Sequence, residues 1–547
     1  MSAVVGIAWT VYGIVSVIFF LFSIGFTRYY QDKHERDVFA TITSILALGL
    51  VLSCLALLPV DIFLVSSTVD SLTGLKKSWA TPETIENMKF VVQLVYYGCY
   101  GMIGLFCFFL IPFAYFYYEE EDVDQTRRDR IRGAFKYTSF FVAISIFLFL
   151  FALFLKPNLP PPKLDLDWFK KILMESNGEK TIAFVIACLA FLGMLILIGY
   201  TAPGLSLFPI GLIKGRKRLD VENEDVDNQL TVVRERQRAL HAKYSGSNKL
   251  MTTHDYRNME NLEDEERILV RRLRGIEEDK KSIWQKMLTF LRPFEVIIGI
   301  FSFILTWVII LSMFLTIVDK ISSSICGRQC GYIISHPRLF NPINFIFVNL
   351  SKWFPLDYIF MVVLILYYFM ATLSGLVTMG IRFLWMNLYR IRRNGTAPQG
   401  LLMTAVLLTL SLLALNYTVT TTVAPGYAHF GSQVYCNFTI GDQRDCSDRN
   451  EYIIPCDLNA PTDICTPTTS SLLIDRVLVD TPFLGLVFYY CQWVFIGMFL
   501  IGCIVAIFRR PRSNVDGDDD EYVEDEEQQG LLSSGSQGNH SNSISYH

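Results

Sequence analysis

Charge is scarce in this 547-residue chain: Asp, Glu, Lys and Arg make up 18% of it against 52% hydrophobic residues, where a soluble protein carries about 25% charged residues. That scarcity excludes an ordinary array of water-soluble domains. Positive charge is in no excess, with 48 Lys and Arg against 52 Asp and Glu and a net charge of -4, so no broad basic face exists for nucleic acid. The chain also lacks a Walker loop, an HExxH helix, a nucleophile elbow and a dinucleotide-binding glycine pattern after a strand. Its histidines, among them His34, His241, His254, His336 and His429, are scattered over separate segments. Hydrolase, kinase and zinc-protease chemistry lose their minimum equipment, and no enzymatic activity or firmly bound cofactor is expected. Twelve cysteines are too few for a small disulfide scaffold, so their placement carries the information.

What the chain has is long apolar runs. A bilayer core of roughly 30 Å needs about 20 apolar residues of helix, and nine stretches qualify: 4–26, 38–65, 90–117, 134–155, 181–210, 295–318, 355–386, 400–424 and 482–508. Pro112, Pro203, Pro209 and Gly375 lie inside them and predict tilt or kinks that neighbouring helices repair. The fold expected is an all-α polytopic membrane protein of about nine transmembrane helices with a cytosolic antiparallel helical hairpin inserted, in contact with membrane lipid. Gly98, Gly101 and Gly104 suit either internal helix contacts or dimerisation.

Orientation rests on two signals. The first run lacks a positive flank before it and a cleavage site, and has Arg28 and Lys33 after it, which reads as a reversed signal anchor. Loops 27–37, 118–133 and 387–399 are dense in Arg and Lys and read as cytosolic, although Lys76, Lys77, Lys170 and Lys171 lie on the opposite side. Cys326, Cys330, Cys436, Cys446, Cys456 and Cys465 all fall in loops opposite that cytosolic face, where disulfides persist. The sequons at Asn349 and Asn437 share their side, while similar triplets at Asn394, Asn416 and Asn539 fall in predicted cytosol or within a crossing. The amino terminus is expected in the lumen or outside, the carboxyl terminus in the cytosol.

The domain reading follows: 1–213 with crossings one to five, 214–292 as the hairpin, 293–424 with crossings six to eight, 425–481 as a disulfide-bearing loop, 482–508 as crossing nine, and 509–547 as a tail. In the hairpin, Val226, Leu230, Val233 and Leu240, then Leu262, Leu269, Leu273, Ile276 and Ile283, each mark one helix face. It serves partner docking or a solvated strut. Cys436 with Cys446 and Cys456 with Cys465 is one of three pairings, and Cys326 and Cys330 suit a tight loop. No histidines accompany these cysteines, so disulfides are expected rather than a metal. The tail holds nine carboxylates between Asp516 and Glu527, a composition that does not fold. Within it Glu527, Leu531 and Leu532 have the form of an acidic di-leucine sorting signal.

Ionisable residues in the membrane mark function, because each costs roughly 2.5 to 3.5 kcal/mol at a helix centre. Asp61 in LPVDIFLVS and Asp357 in FPLDYIFMV share a Pro-apolar-Asp arrangement. They line a lumen-facing cavity and capture a cation or proton, or they cap a helix near the interface. Arg382 is expected to snorkel.

The strings LPVDIFLVS, IPFAYFYYEEED, PIGLIKG, FPLDYI, LYRIRR with a following Pro-Gln, and APGYAHFGSQ closely resemble the limb-region and lipocalin-receptor membrane protein family, over roughly residues 4–508. The resemblance implies a nine-crossing protein of the lysosomal membrane that escorts cobalamin (vitamin B12) export from the lumen. It implies a lysosomal ATP-binding-cassette half-transporter as partner, a cytosolic cobalamin-processing protein as receiver, and clathrin-adaptor contact with a plasma-membrane pool. It leaves an autonomous cobalamin transporter or endocytic receptor as the alternative.

Overall fold

The computed structural model describes residues 3–32, 37–120, 127–154, 179–215, 219–245, 252–281, 283–324 and 338–509, except 352, 354, 384–385, 394, 441–442, 445, 447–449, 458–459, 462 and 481. Eight helices among them are long and apolar enough to cross a membrane: Val4–Tyr30, Val38–Ser66, Pro82–Glu119, Ile186–Lys214, Phe294–Ser323, Leu356–Met379, Pro398–Val423 and Leu484–Phe508. The remaining expected crossing, 134–155, falls on the helix Arg127–Phe154, whose side chains beyond 146 lie outside the described residues. The protein is all-α in its membrane part. Two of these helices, Val38–Ser66 and the one beginning at Pro398, are apolar on every side and buried along most of their length, as befits the centre of a bundle.

Prolines shape the helices in a regular way. Among the described residues three wide, π-helical turns occur, at Phe106–Leu110, Leu197–Thr201 and Val419–Val423, and each ends two residues before a proline: Pro112, Pro203 and Pro425. Proline brings no N–H and its ring collides with the carbonyl of the preceding turn, so widening that turn relieves the clash. At the second of these turns Thr201 Oγ1 lies 2.8 Å from Thr372 Oγ1 and 2.9 Å from Ser411 Oγ, a buried hydroxyl knot joining three helices. Backbones meet directly beside it. A Cβ on Gly204 would stand 2.0 Å from the Ala371 carbonyl oxygen, and one on Gly375 2.1 Å from that of Tyr200. Gly375 is therefore a contact point. The stripe Gly98 and Gly101 instead faces open space, and a Cβ on Gly104 would only just reach Leu189, so that stripe makes no close internal helix contact.

One crossing ends earlier than its apolar run. The helix Leu356–Met379 stops at Gly380, whose φ of 71° is left-handed. The chain then forms an antiparallel hairpin of Ile381–Phe383 with Met386–Tyr389. Arg382 thus lies on a strand past the helix end, its Nε donating to Met379 O at 2.8 Å, and does not snorkel from within a crossing that reaches 386.

The chain divides into two compact units, Met1–Phe208 with Phe303–Ala506, and Pro209–Ser302 with Ile507–His547. In the second, helices Leu219–Ser245 and Thr253–Lys281 close on one another around Val226, Leu230, Val233 and Leu269, flanked by Leu262, Val270 and Leu273. Arg234 Nε meets Glu266 Oε1 at 2.8 Å and Lys243 Nζ meets Asp255 Oδ2 at 2.8 Å. Tyr244 OH also donates to Asp255, and Lys243 and Tyr244 together hold the Asp255 carboxyl down at about 2.

Candidate functional site

In the first unit, the segment between Pro398–Val423 and Leu484–Phe508 folds over several helix ends as a polar cap. It comprises a short helix Pro425–Phe430, the strands Val434–Cys436 and Ile453–Pro455 paired antiparallel, and a helix Thr469–Asp480. Cys436 bonds to Cys446 and Cys456 to Cys465. Gln433 sutures the two halves of the cap, donating to Thr466 O at 2.8 Å while its Oε1 accepts from Thr466 N at 3.0 Å. Cys326 and Cys330 lie outside the described residues, as do Glu527, Leu531 and Leu532.

Both intramembrane aspartates end on this cap. Asp61 is buried just after Pro59, near the end of Val38–Ser66, and its Oδ2 accepts from Ser470 N at 2.8 Å. Thr468 caps the same helix start, its Oγ1 accepting from Ser471 N at 3.3 Å and donating to Ala428 O at 2.7 Å. A carboxylate at the unsatisfied N–H groups of a helix start is favourable for both its hydrogen bond and its charge. Lys89, half-buried on the helix Pro82–Leu105, lies within electrostatic reach of Asp61.

Asp357, in the first turn of Leu356–Met379, accepts from Tyr358 N at 2.9 Å and from Tyr427 OH at 2.8 Å. Tyr427 is clamped further: its N–H donates to Asn344 Oδ1 at 3.1 Å and its ring stacks on Phe347, centroids 4.5 Å apart. Asn341 secures the entry to the cap, its Nδ2 donating to Val423 O at 3.1 Å and to Thr316 Oγ1 at 2.9 Å. Asp319 accepts from Arg338 N at 2.9 Å and from Ser323 Oγ at 2.9 Å.

A second polar contact joins two helices of the cap itself. His429 Nδ1 lies 2.8 Å from Pro425 O, and its Nε2 lies 3.3 Å from Asp475 Oδ2. Burial alone would depress the imidazole's pKa, but the hydrogen bond and charge of Asp475, helped by the Pro425 carbonyl, outweigh burial and hold it above the usual 6.5. Lys320, buried at the end of Phe294–Ser323, faces Asp475 electrostatically.

The sequence singled out Asp61 and Asp357, and the structure brings them to neighbouring parts of one cap, each engaged by a donor from it. His429, Asp475, Lys320, Asn341 and Tyr427 were not singled out as site residues. Lys320 carries a readable signal, since it stands two residues past the apolar run 295–318; His429 is one of the scattered histidines and carries none. Asn437 is exposed beside the first disulfide and Asn349 is half-buried on the helix Pro342–Leu350, whereas Asn416 is buried with Nδ2 donating to Tyr100 OH at 2.8 Å. Among the described residues no group of three or more His, Cys, Asp or Glu side chains is placed to hold a metal ion.

The profile of the family described as LMBR1-like membrane protein matches residues 9–277. The chain is 38% identical to a protein of Aspergillus terreus (strain NIH 2624 / FGSC A1156) named "Probable lysosomal cobalamin transporter", over 96% of this chain and 95% of that protein. It is 39% identical to a protein of the same name from Sclerotinia sclerotiorum (strain ATCC 18683 / 1980 / Ss-1), over 96% of this chain and 92% of the relative. A third so named, from Emericella nidulans, is 38% identical over 96% of this chain and 94% of its own length. No solved structure matches. With likeness at this level running along nearly its whole length, the chain belongs to the LMBR1-like membrane protein family.

Proposed function

We propose that this protein resides in the lysosomal membrane and supports export of cobalamin to the cytosol, as an escort that stabilises and targets an ATP-binding-cassette half-transporter. Its amino terminus and disulfide-bearing cap face the lumen, and its carboxyl terminus faces the cytosol. A cytosolic cobalamin-processing protein receives the vitamin, and Glu527, Leu531 and Leu532 direct sorting through a clathrin adaptor, with a plasma-membrane pool in transit. The relatives' names support the cobalamin and lysosomal parts of this reading. The escort part is carried by one observation: Asp61 and Asp357 are both engaged as hydrogen-bond acceptors fastening the cap, which suits a rigid partner better than a carrier that cycles its own charges. Among the described residues the hairpin's Val226, Leu230, Val233 and Leu269 are buried against one another, so the surface it offers a partner is mostly charged.

The second reading, an autonomous transporter, draws on the relatives' names and on buried groups beside the turn Val419–Val423. There Asn416 Oδ1, Thr420 Oγ1 and Gln492 Oε1 have no hydrogen-bond partner among the described residues, as groups lining a polar path would. Purified protein in liposomes separates the two. The escort reading expects cobalamin flux only when the half-transporter and ATP are added, and flux from this chain alone overturns it.

A further inference from the structure

The crossing Phe294–Ser323 carries a polar stripe that the escort reading does not use. Ser312, Thr316, Asp319 and Ser323 recur every three or four residues and are all buried, a spacing that lines up one helix face. The chain that follows runs back down this stripe. Arg338 N and Leu339 N donate to Asp319 Oδ2 at 2.9 and 3.4 Å, Asn341 Nδ2 donates to Thr316 Oγ1 at 2.9 Å, and Ile343 N donates to Ser312 Oγ at 3.4 Å. Asp319 stands just past the apolar run 295–318 and Ser312 inside it, about 10 Å further down the helix at 1.5 Å per residue. The segment 338–343 thus returns to membrane depth.

Extended backbone at that depth needs partners for its N–H groups, since lipid offers none. The stripe supplies them, and Asn341 Oδ1 caps the helix Pro342–Leu350 by accepting from Asn344 N at 2.9 Å. That helix has two unlike faces. Ile343 and Phe347 are buried, and the Phe347 ring lies 5.0 Å from that of Phe360 on the next crossing and 4.5 Å from that of Tyr427. Phe345 and Val348 are exposed. Phe340, whose ring lies 5.5 Å from that of Phe345, is 64% exposed, and Trp353, whose N–H donates to Leu350 O at 3.0 Å, is 73% exposed. From Leu339 to Ser351 the sequence has no ionisable side chain. The crossings on which this helix packs expose apolar side chains at the same level, Ile321 beyond Asp319 on one and Leu356 and Ile359 before Phe360 on the other. The outer face is thus continuous in character and depth with the lipid-facing surface of the bundle.

We propose that residues 338–350 form a re-entrant segment in the leaflet on the cap's side, and that Phe340, Phe345, Val348 and Trp353 meet phospholipid acyl chains there. An uncharged aromatic face opposite a packed one suits a helix lying at the acyl boundary, and an exposed apolar patch of this kind marks a contact surface. Through Phe347 and Asn344 the same helix holds Tyr427, so it joins the cap to the bilayer. Asn349, in the last turn of this helix, therefore carries no glycan, because a glycan is a bulky solvated group that the leaflet does not admit.

The test places a tryptophan at Phe345 in the purified full-length protein, reconstituted in phosphatidylcholine vesicles with or without bromine on the upper acyl chain. The emission that Phe345→Trp adds to that of the wild type loses at least about half its intensity in the brominated vesicles, and iodide on both sides of the membrane leaves it unchanged. Phe340→Trp behaves alike and stands in if the first variant does not fold. Quenching of the added emission by iodide places the patch in water and overturns the proposal. Insensitivity to both quenchers places protein over the patch, from 325–337 or from a partner, and overturns it too. So does a glycan on Asn349 in protein made in a eukaryotic host, seen as a mobility shift that Asn349→Gln abolishes.

Discussion

The cap over the helix ends and the hairpin Leu219–Lys281 are both insertions between crossings, yet they are closed by opposite means. The cap is fastened by buried polar bonds to charged groups and by two disulfides. The hairpin is closed by an apolar stripe and by ion pairs whose basic partners, Arg234 and Lys243, are 45% and 60% exposed. A hydrogen bond to a buried carboxylate costs its full desolvation when one partner is removed, whereas an exposed ion pair is screened and worth about 0–1 kcal/mol. The difference teaches that the cap is a fixed part of the membrane bundle, sensitive to single atoms, and that the hairpin tolerates changes of surface charge.

Substitutions break the comparison in order of size. Asp61→Leu strands Ser470 N and loosens the start of the helix Thr469–Asp480, at about 3 kcal/mol, seen as a lower unfolding midpoint and new protease cleavage in 425–481. Replacing Cys456 and Cys465 by Ser removes a short loop closure and destabilises the cap by about 2–3 kcal/mol, measured by the same cleavage. Leu230→Ala opens the hairpin stripe by about 2 kcal/mol, with exchange rising in 219–281 and the cap unaltered. Arg234→Gln changes the hairpin by less than about 0.5 kcal/mol, a difference that vanishes at high salt.

Acid sharpens the contrast. His429 has a raised pKa, so its contribution is fully present below about 6.5 and is lost as pH rises through the folded value. Asp255 has a depressed pKa of about 2, so its contribution is present above the ordinary carboxylate range and is lost only as pH falls through about 2. An amide-exchange titration from about pH 8 to about pH 4 therefore tightens the cap and leaves the hairpin's Lys243 closure intact. Loosening of the cap over that range contradicts the assignment.

The crossings were legible in the sequence because an apolar run is local. Their ends were less so: Gly380 stops a helix inside a run that continues to Trp385 and Met386. The hairpin stripe was legible for the same reason, with Val226, Leu230, Val233 and Leu269 spaced on helix faces. The cap was not. Its fastening joins Asp61 to a backbone N–H 409 residues away and Asp357 to a hydroxyl 70 residues away, and no local pattern announces which helix ends meet. The helix Thr469–Asp480 also went unseen, because it lies in a loop read for its cysteines, glycines and prolines. Of the three cysteine pairings the sequence allowed for that loop, the structure has the one that joins each cysteine to its neighbour in sequence, first to second and third to fourth.

Hydrogen exchange at the Ser470 amide, in the wild type and in Asp61→Leu, tests most directly whether the membrane aspartates fasten the cap. The account predicts a protected amide in the wild type and exchange about 100-fold faster in the variant, matching about 3 kcal/mol. Equal exchange in the two proteins would contradict it and return Asp61 to the pool of groups free to bind a cation or a proton.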